Sequence, residues 1–212
     1  MAERTALFFD LDGTLVRFDD SKFEGKLEVD WLSSNGVRNA ASVLGSQVWR
    51  SGKGRRELLG MTQAEYERLF VSFAEVEYRT KKECLEDGRL RVADGAFELL
   101  ESSPWPMALV SNSCKEWVRL ALRELKLRKH FKFVFEREYC FDDLRKPSCE
   151  VAVRAAKALG VEADRRVWML GDSPKDAEFS RNAGLTSVSV FNDIGADYHC
   201  RDFHEAKRLV LG

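Results

Sequence analysis

Short, nearly continuous apolar runs alternate along this chain with stretches whose apolar positions recur at helical spacing. Thr5-Ala6-Leu7-Phe8-Phe9 is such a run and stops at Asp10, the pattern of a parallel strand covered on both faces. Four similar runs follow much later, at Met107 to Val110, Phe131 to Phe135, Val167 to Leu170 and Thr186 to Phe191. Each is rich in β-branched or aromatic residues and is bounded by polar or glycine signals. Between them, Trp117, Leu120, Ala121 and Leu125 recur at helical spacing, as do Val151, Ala155, Ala158 and Leu159, with Gly160 placed to stop the second helix. This alternation predicts one parallel sheet, and such sheets gather ligands beyond the carboxyl ends of their strands. Asp10, Ser111 and Asp172 each follow a predicted strand, so residues distant in sequence can converge on one crevice.

From Arg17 to about Arg91 the pattern changes, with almost no β-like alternation. Gln63 to Cys84 reads as a long helix, and Asn35 to Trp49 and Glu57 to Gly60 as two more, separated by Ser51-Gly52-Lys53-Gly54. All four prolines, at 104, 106, 147 and 174, fall outside this stretch. The expected organisation is therefore α/β: a doubly wound parallel sheet core from residues 1–16 and 92–212, with an inserted all-helical cap over residues 17–91.

Charge narrows the classes of partner. Thirty-four Lys and Arg face 35 Asp and Glu, a net charge of -1, so no global field recruits nucleic acid or an anionic membrane, and any anion selectivity must be local. The opening segment MAERTALFFDLDGTLV has a short apolar run broken by acidic residues, which fits neither a signal peptide nor a spanning helix. Five scattered cysteines, at 84, 114, 140, 149 and 200, cannot all pair within one chain, and reduced thiols with a cytoplasmic location are the expectation. With no C-x-x-C pair and only three histidines, a structural zinc site is not expected.

Asp10-Leu11-Asp12-Gly13-Thr14 places two carboxylates one residue apart just beyond a buried strand, and ideal strand geometry would point both the same way. Such a pair can divide labour, one attacking phosphorus while the other moves protons. Gly13 lets the chain turn, and Thr14 offers a hydroxyl to a carboxylate or phosphate oxygen. Gly171-Asp172-Ser173-Pro174-Lys175-Asp176 adds two carboxylates at another strand end, with Pro174 placed to begin a helix. An N-cap explains one of these aspartates. Four clustered carboxylates would repel one another unless a cation sat between them, and Mg²⁺ suits oxygen ligands and bridges to phosphate. Ser111-Asn112-Ser113 can offer hydroxyl, amide and helix-start donors to an anion, or simply cap the next helix. Lys146, ahead of Pro147 and Ser148, can hold phosphate and compensate the aspartates.

In this order these pieces resemble the haloacid dehalogenase-like hydrolase superfamily, whose phosphatases use a D-x-D-G-T stretch, a later Ser or Thr, a downstream Lys and a G-D-x-x-x-D stretch. The matching residues are Asp10, Asp12, Thr14, Ser111, Lys146, Asp172 and Asp176. The resemblance implies a Mg²⁺-dependent phosphatase of a small phosphorylated metabolite. Asp10 would be the nucleophile, Asp12 the acid/base, and Ser111 and Lys146 the phosphate binders. Asp10, Asp172 and the Asp12 backbone carbonyl would ligate magnesium, with Asp176 in support. Asp12 argues against the dehalogenase branch. A sugar phosphomutase using the same phospho-aspartate and an inactive phospho-ligand binding protein are the alternatives.

Related capped phosphatases read their substrates with the cap. Arg50 to Arg56 is the most basic local segment, and Lys53, Arg55 and Arg56 are candidates to meet a second anionic group, or are solvent-facing charges. Asn112 is a further substrate-binding candidate. Cys114 near a helix start could favour a thiolate, although no Cys-His pair accompanies it. Trp31, Trp49, Phe70 and Phe73 could line a pocket but read more readily as core. No nucleic-acid or membrane partner is expected, and the chain is read as a monomer or a homodimer.

Overall fold

The structure, a computed structural model, describes residues 5–19, 23–46, 48, 54–137 and 144–212. Strand β1 (Ala6–Phe9) is flanked on one side by β4 (Met107–Cys114), beyond which lies β5 (Phe133–Arg137). On its other side lie β6 (Val167–Gly171), β7 (Thr186–Val190) and β8 (Tyr198–Cys200), and every pairing is parallel. Because the chain runs from β1 out to β4 and β5 and then returns to β6 across β1, strand order reverses at the end of β1. That switch point is where open α/β sheets leave a crevice.

The apolar runs are continuous because both sheet faces are covered. Leu7 and Phe9 of β1, Leu109 of β4 and Leu170 of β6 enter one core cluster. Their neighbours Ala6, Phe8, Ala108, Val110, Val167 and Met169 enter a second. The first face is closed by α5 (Ala96–Ser102), α6 (Lys115–Glu124) and α9 (Phe203–Leu211), and the second by α7 (Cys149–Leu159) and α8 (Pro174–Ala183). A period of two on the strands thus meets a period of 3.6 on the helices.

The segment read as wholly helical has strands at its two ends. β2 (Val16–Phe18) and β3 (Leu90–Val92) form an antiparallel ladder in which Arg17 lies opposite Arg91. Three-residue strands carry too little sequence for a period-two signal. Between them come α1 (Phe23–Ser34), α2 (Ala40–Gly45), α3 (Arg55–Leu59) and α4 (Gln63–Glu86). The helix expected over Asn35 to Trp49 starts later, because Asn35 and Gly36 close α1: Asn35 N–H donates to the Trp31 carbonyl and Gly36 has φ +80°. α3 starts two residues before the predicted Glu57 and ends at Gly60 in the left-handed region. The strand expected from Phe131 is displaced to Phe133, because a single 3₁₀ turn at Arg128–His130 precedes it.

A third apolar cluster, formed by Trp31, Leu32, Ala40, Tyr66, Leu69 and Phe70, belongs to these helices alone. Trp31 packs its ring 5.5 Å from Phe70 and 4.5 Å from Phe73, so these aromatics build core as well as wall. Trp49, Lys53 and Cys140 lie outside the described residues. Among the described residues, no helix is long and apolar enough to cross a membrane.

Candidate active site

The main chain leaves β1 at Asp10, whose N–H still donates to the Leu170 carbonyl of β6 at 2.9 Å. It then turns through Leu11 to Gly13. Gly13 has φ +78°, and a Cβ there would come within 2.3 Å of an Asp172 carboxylate oxygen, so both backbone and space demand glycine. Thr14 Oγ1 donates to Asp172 Oδ1 at 2.9 Å, which ties the first turn to the end of β6. Thr14 is fully buried and serves this carboxylate.

Pro174 begins α8, as expected, with Ser173 as N-cap. The Ser173 N–H and Oγ–H both donate to Asp176 Oδ2, at 3.1 and 2.6 Å, leaving Asp176 Oδ1 to the crevice. Gly171 permits this approach, since a Cβ there would lie 2.4 Å from the Asp176 side chain. Lys146 supplies the cation inside the acidic group. Its Nζ donates to Asp10 Oδ1 and to Asp176 Oδ1, each at 2.5 Å, and its side chain is buried. Asn112 does not face outward from a helix cap. Its amide pairs in both directions with the Lys146 backbone, donating at 3.0 Å and accepting at 2.9 Å. Neither it nor Ser113 caps α6, whose N-cap is Cys114.

Asp10 and Asp12 both line the same cavity but meet different partners. Asp12 Oδ1 accepts from Trp117 Nε1 at 2.8 Å, and Oδ2 accepts from Ser113 Oγ at 2.5 Å and faces Lys81 Nζ at 3.0 Å. Lys81 also pairs with Glu77 at 2.8 Å, one helical turn earlier on α4. Lys81, Glu77 and Trp117 were not candidates from sequence. At i,i+4 spacing on a long helix, Glu77 and Lys81 read as a solvated surface pair.

Electrostatics follow from burial. Asp10 is pushed well above the usual carboxylate range by desolvation, which Lys146 opposes and Asp176 and Asp172 reinforce. Burial and then Asp176 push Asp172 up to about 6, against the Thr14 hydrogen bond. Burial alone would lower Lys146, but Asp10 and Asp176 together outweigh it and raise it. Burial also raises the Cys114 thiol, and Glu77 adds to this, so the expectation of a thiolate there is overturned.

Asp10, Asp172 and Asp176 can each present a carboxylate oxygen within 4.8 Å of the others, a hard-oxygen cluster able to hold a metal ion. Asp10, Asp12, Ser111, Lys146 and Asp172 line one cavity of about 670 Å³, with Phe70, Phe73 and Arg55 from the helical insertion on its wall. Ser111 is buried there, its Oγ accepting the Ser113 N–H at 3.2 Å. Arg55 is buried, whereas Arg56 pairs with Glu57 at 3.0 Å and with Gln63 on the outer side and does not line the cavity.

The family model described as haloacid dehalogenase-like hydrolase matches residues 5–184. The chain belongs to that family. This hydrolase is also similar to solved structures. A hydrolase from Pseudomonas syringae has 22% identity, with 97% of each chain covered and a TM-score of 0.75. A candidate phosphoglycolate phosphatase from Lactobacillus plantarum has 15% identity, covering 98% of this chain and 99% of that one, with a TM-score of 0.74. A haloacid dehalogenase-type phosphatase from Thermococcus onnurineus has 22% identity, 97% of each chain covered and a TM-score of 0.59. At these identities the similarity speaks for the fold. No curated protein matches the chain.

Proposed function

We propose that this hydrolase is a magnesium-dependent phosphatase that cleaves a small phosphate monoester through a phosphoryl group carried on Asp10. The observation that carries this reading is the buried Asp10 carboxylate at the sheet's switch point, paired with Lys146 and grouped with Asp172 and Asp176 at one end of a cavity of metabolite size. Asp10, Asp172 and Asp176, with the Asp12 backbone carbonyl, would hold Mg²⁺. The ion, when bound, would offset the phosphoryl charge that these carboxylates otherwise repel. The donor set fits: the ligating oxygens are hard, and three clustered carboxylates have one buried lysine among them, paired with Asp10 and Asp176.

An Asp10 oxygen forms a bond to phosphorus as the ester P–O bond breaks, and the leaving oxygen takes a proton from Asp12. Asp12 then takes a proton from water as the water oxygen attacks the phosphoryl group, the Asp10–phosphorus bond breaks and inorganic phosphate leaves. Trp117 and Ser113 donate to Asp12 and Lys81 faces it at 3.0 Å, contacts that hold this carboxylate in place. Lys146 and Ser111 bind the phosphoryl oxygens in this reading. Asn112 positions Lys146 rather than substrate, and Thr14 positions Asp172. Residues 17–91 act as a cap that limits bulk water and reads the organic part of the substrate.

Phosphate release is the test, measured with and without magnesium across sugar phosphates, phosphoglycolate, nucleotides and an activated aryl phosphate. Metal-dependent release from at least one is expected. No turnover anywhere would count against phosphatase action, and transfer to a second sugar without free phosphate would assign a mutase.

A further inference from the structure

The proposed reaction needs Asp12 to hold a proton and to release it, yet the three side chains on its carboxylate all approach as donors. Two of them have no other way to approach. The indole N–H of the fully buried Trp117 and the ammonium of Lys81 carry hydrogen and no acceptor lone pair, so neither takes a hydrogen bond from a protonated Asp12. The Ser113 hydroxyl differs, because its one oxygen both donates and accepts. It donates to Asp12 Oδ2 at 2.5 Å and accepts from Lys81 Nζ at 3.2 Å, which leaves one lone pair open. Among the described residues, it is the one side chain bonded to Asp12 that suits both forms of the carboxyl group.

Local structure brings Ser113 there. β4 pairs with β5 up to Val110, slips, and pairs again at Cys114, an irregularity of the kind that re-aims side chains beside active sites. The Ser113 N–H donates to Ser111 Oγ at 3.2 Å, so the main chain is held at this slip while the half-buried Ser113 lines the cavity. With a proton on Asp12 Oδ2, the hydroxyl oxygen can accept that proton's hydrogen bond and turn its own hydrogen to the cavity, and Lys81 keeps Glu77 at 2.8 Å. Once the proton has gone to the leaving oxygen, the hydroxyl turns back to Oδ2. A carboxylic acid facing donors alone would lose a hydrogen bond at the stage where it must give up its proton. We propose that Ser113 is a positioning residue for Asp12, which stays hydrogen-bonded to it with and without its proton and so can protonate the leaving oxygen. The inference rests on the reading of Asp12 as acid/base and adds a residue to that step.

The leaving group is the probe. With magnesium present, kcat/KM is measured over substituted phenyl phosphates, from nitrophenyl, whose leaving oxygen needs little protonation, to methoxyphenyl, whose leaving oxygen needs more. In Asp12→Asn, which has no carboxyl proton to give, kcat/KM should fall more steeply toward the poor leaving groups than in the wild type. Ser113→Ala should steepen the series in the same sense, losing about tenfold more on the poorest leaving group than on the best, the size of one charged hydrogen bond. Ser113→Thr keeps the hydroxyl and should return the wild-type slope. Ser113→Ala added to Asp12→Asn should steepen the series no further, because the one residue acts through the other. Should Asp12→Asn turn over too slowly to measure, Ser113→Ala against Ser113→Thr still decides. A merely structural Ser113 would lower every member of the series alike. That result, an unaltered Ser113→Ala enzyme, or further steepening on top of Asp12→Asn overturns this inference alone. An unaltered slope in Asp12→Asn overturns the acid/base reading and this inference with it, and no turnover of any phenyl phosphate overturns the phosphatase reading as well.

Discussion

Asp10 and Asp12 stand two positions apart yet face different chemistry, and their variants should differ accordingly. Asp10 meets Lys146 inside the acidic cluster, while Asp12 is held by Trp117, Ser113 and Lys81. On the proposed mechanism Asp10→Asn keeps the shape but removes the attacking carboxylate, so acid-quenched mass spectrometry should find no phosphorylated aspartate and kcat should fall on the order of a thousandfold or more. Asp12→Asn should still accumulate the adduct from a good leaving group but hydrolyse it slowly; phosphorylation on any other residue sinks the assignment. Asp172 makes a second residue-scale prediction. Its folded value of about 6 is raised, so the proton is held more tightly in the folded protein than in the unfolded one. That contribution to stability is present at low pH and is lost as pH rises from about 4, the ordinary carboxylate value, through the folded value. Magnesium, as proposed, would compete for the same oxygens, so its affinity should strengthen across this window and level off above it. Calorimetric titration at about pH 5 and about pH 7.5 reads this directly, and equal affinities at the two would exclude Asp172 as a ligand.

α4 is the element that joins the insertion to the core. Its start is secured by Thr62, whose N–H donates to Glu65 at 2.8 Å while its Oγ accepts the Glu65 N–H at 3.3 Å. Tyr66, Leu69 and Phe70 pack in the insertion's own cluster, while Cys84 enters the first core cluster and Tyr78 and Leu85 pack against it. Lys81 lies along this second half, with its side chain 2% exposed between Asp12 and Glu77. Lys81→Met would leave two buried carboxylates without their shared cation, a loss of about 3–5 kcal/mol by the usual cost of breaking a buried pair. Urea denaturation should show it as a lowered midpoint at unchanged slope. A loss below about 1 kcal/mol would mean that water reaches these carboxylates and that the pair behaves as a surface one. The helical periodicity of Gln63 to Cys84 announced this element, because a 24-residue helix repeats its apolar stripe many times. β2, β3 and β8 were not legible, since three residues make less than two full pleats.

At the scale of the whole molecule, two clusters sandwich the sheet and a third, smaller one holds the insertion. Smaller cores open more readily, so hydrogen exchange should show amides of α1 and α2 exchanging at lower opening free energy than those of β1 and β6. Equal protection in both regions would mean one cooperative unit. The parallel sheet and the switch point could be read beforehand, because strands buried on both faces must be apolar throughout and the order of runs along the chain limits how they can pair. For the same reason Asp10, Ser111, Lys146, Asp172 and Asp176 could be nominated from their places after strands or before helices. Their partners could not. The orientation of Asp12, the commitment of Asn112 to Lys146, the burial of Lys81 and the division between Arg55 and Arg56 depend on residues up to 105 positions away, with no local periodicity to report them. Sequence by itself determined which strand ends carry carboxylates and the lysine, because local hydrophobic patterning specifies elements and their order. Only the tertiary structure decided which charges are buried together, because burial and pairing arise when surfaces distant along the chain close on each other.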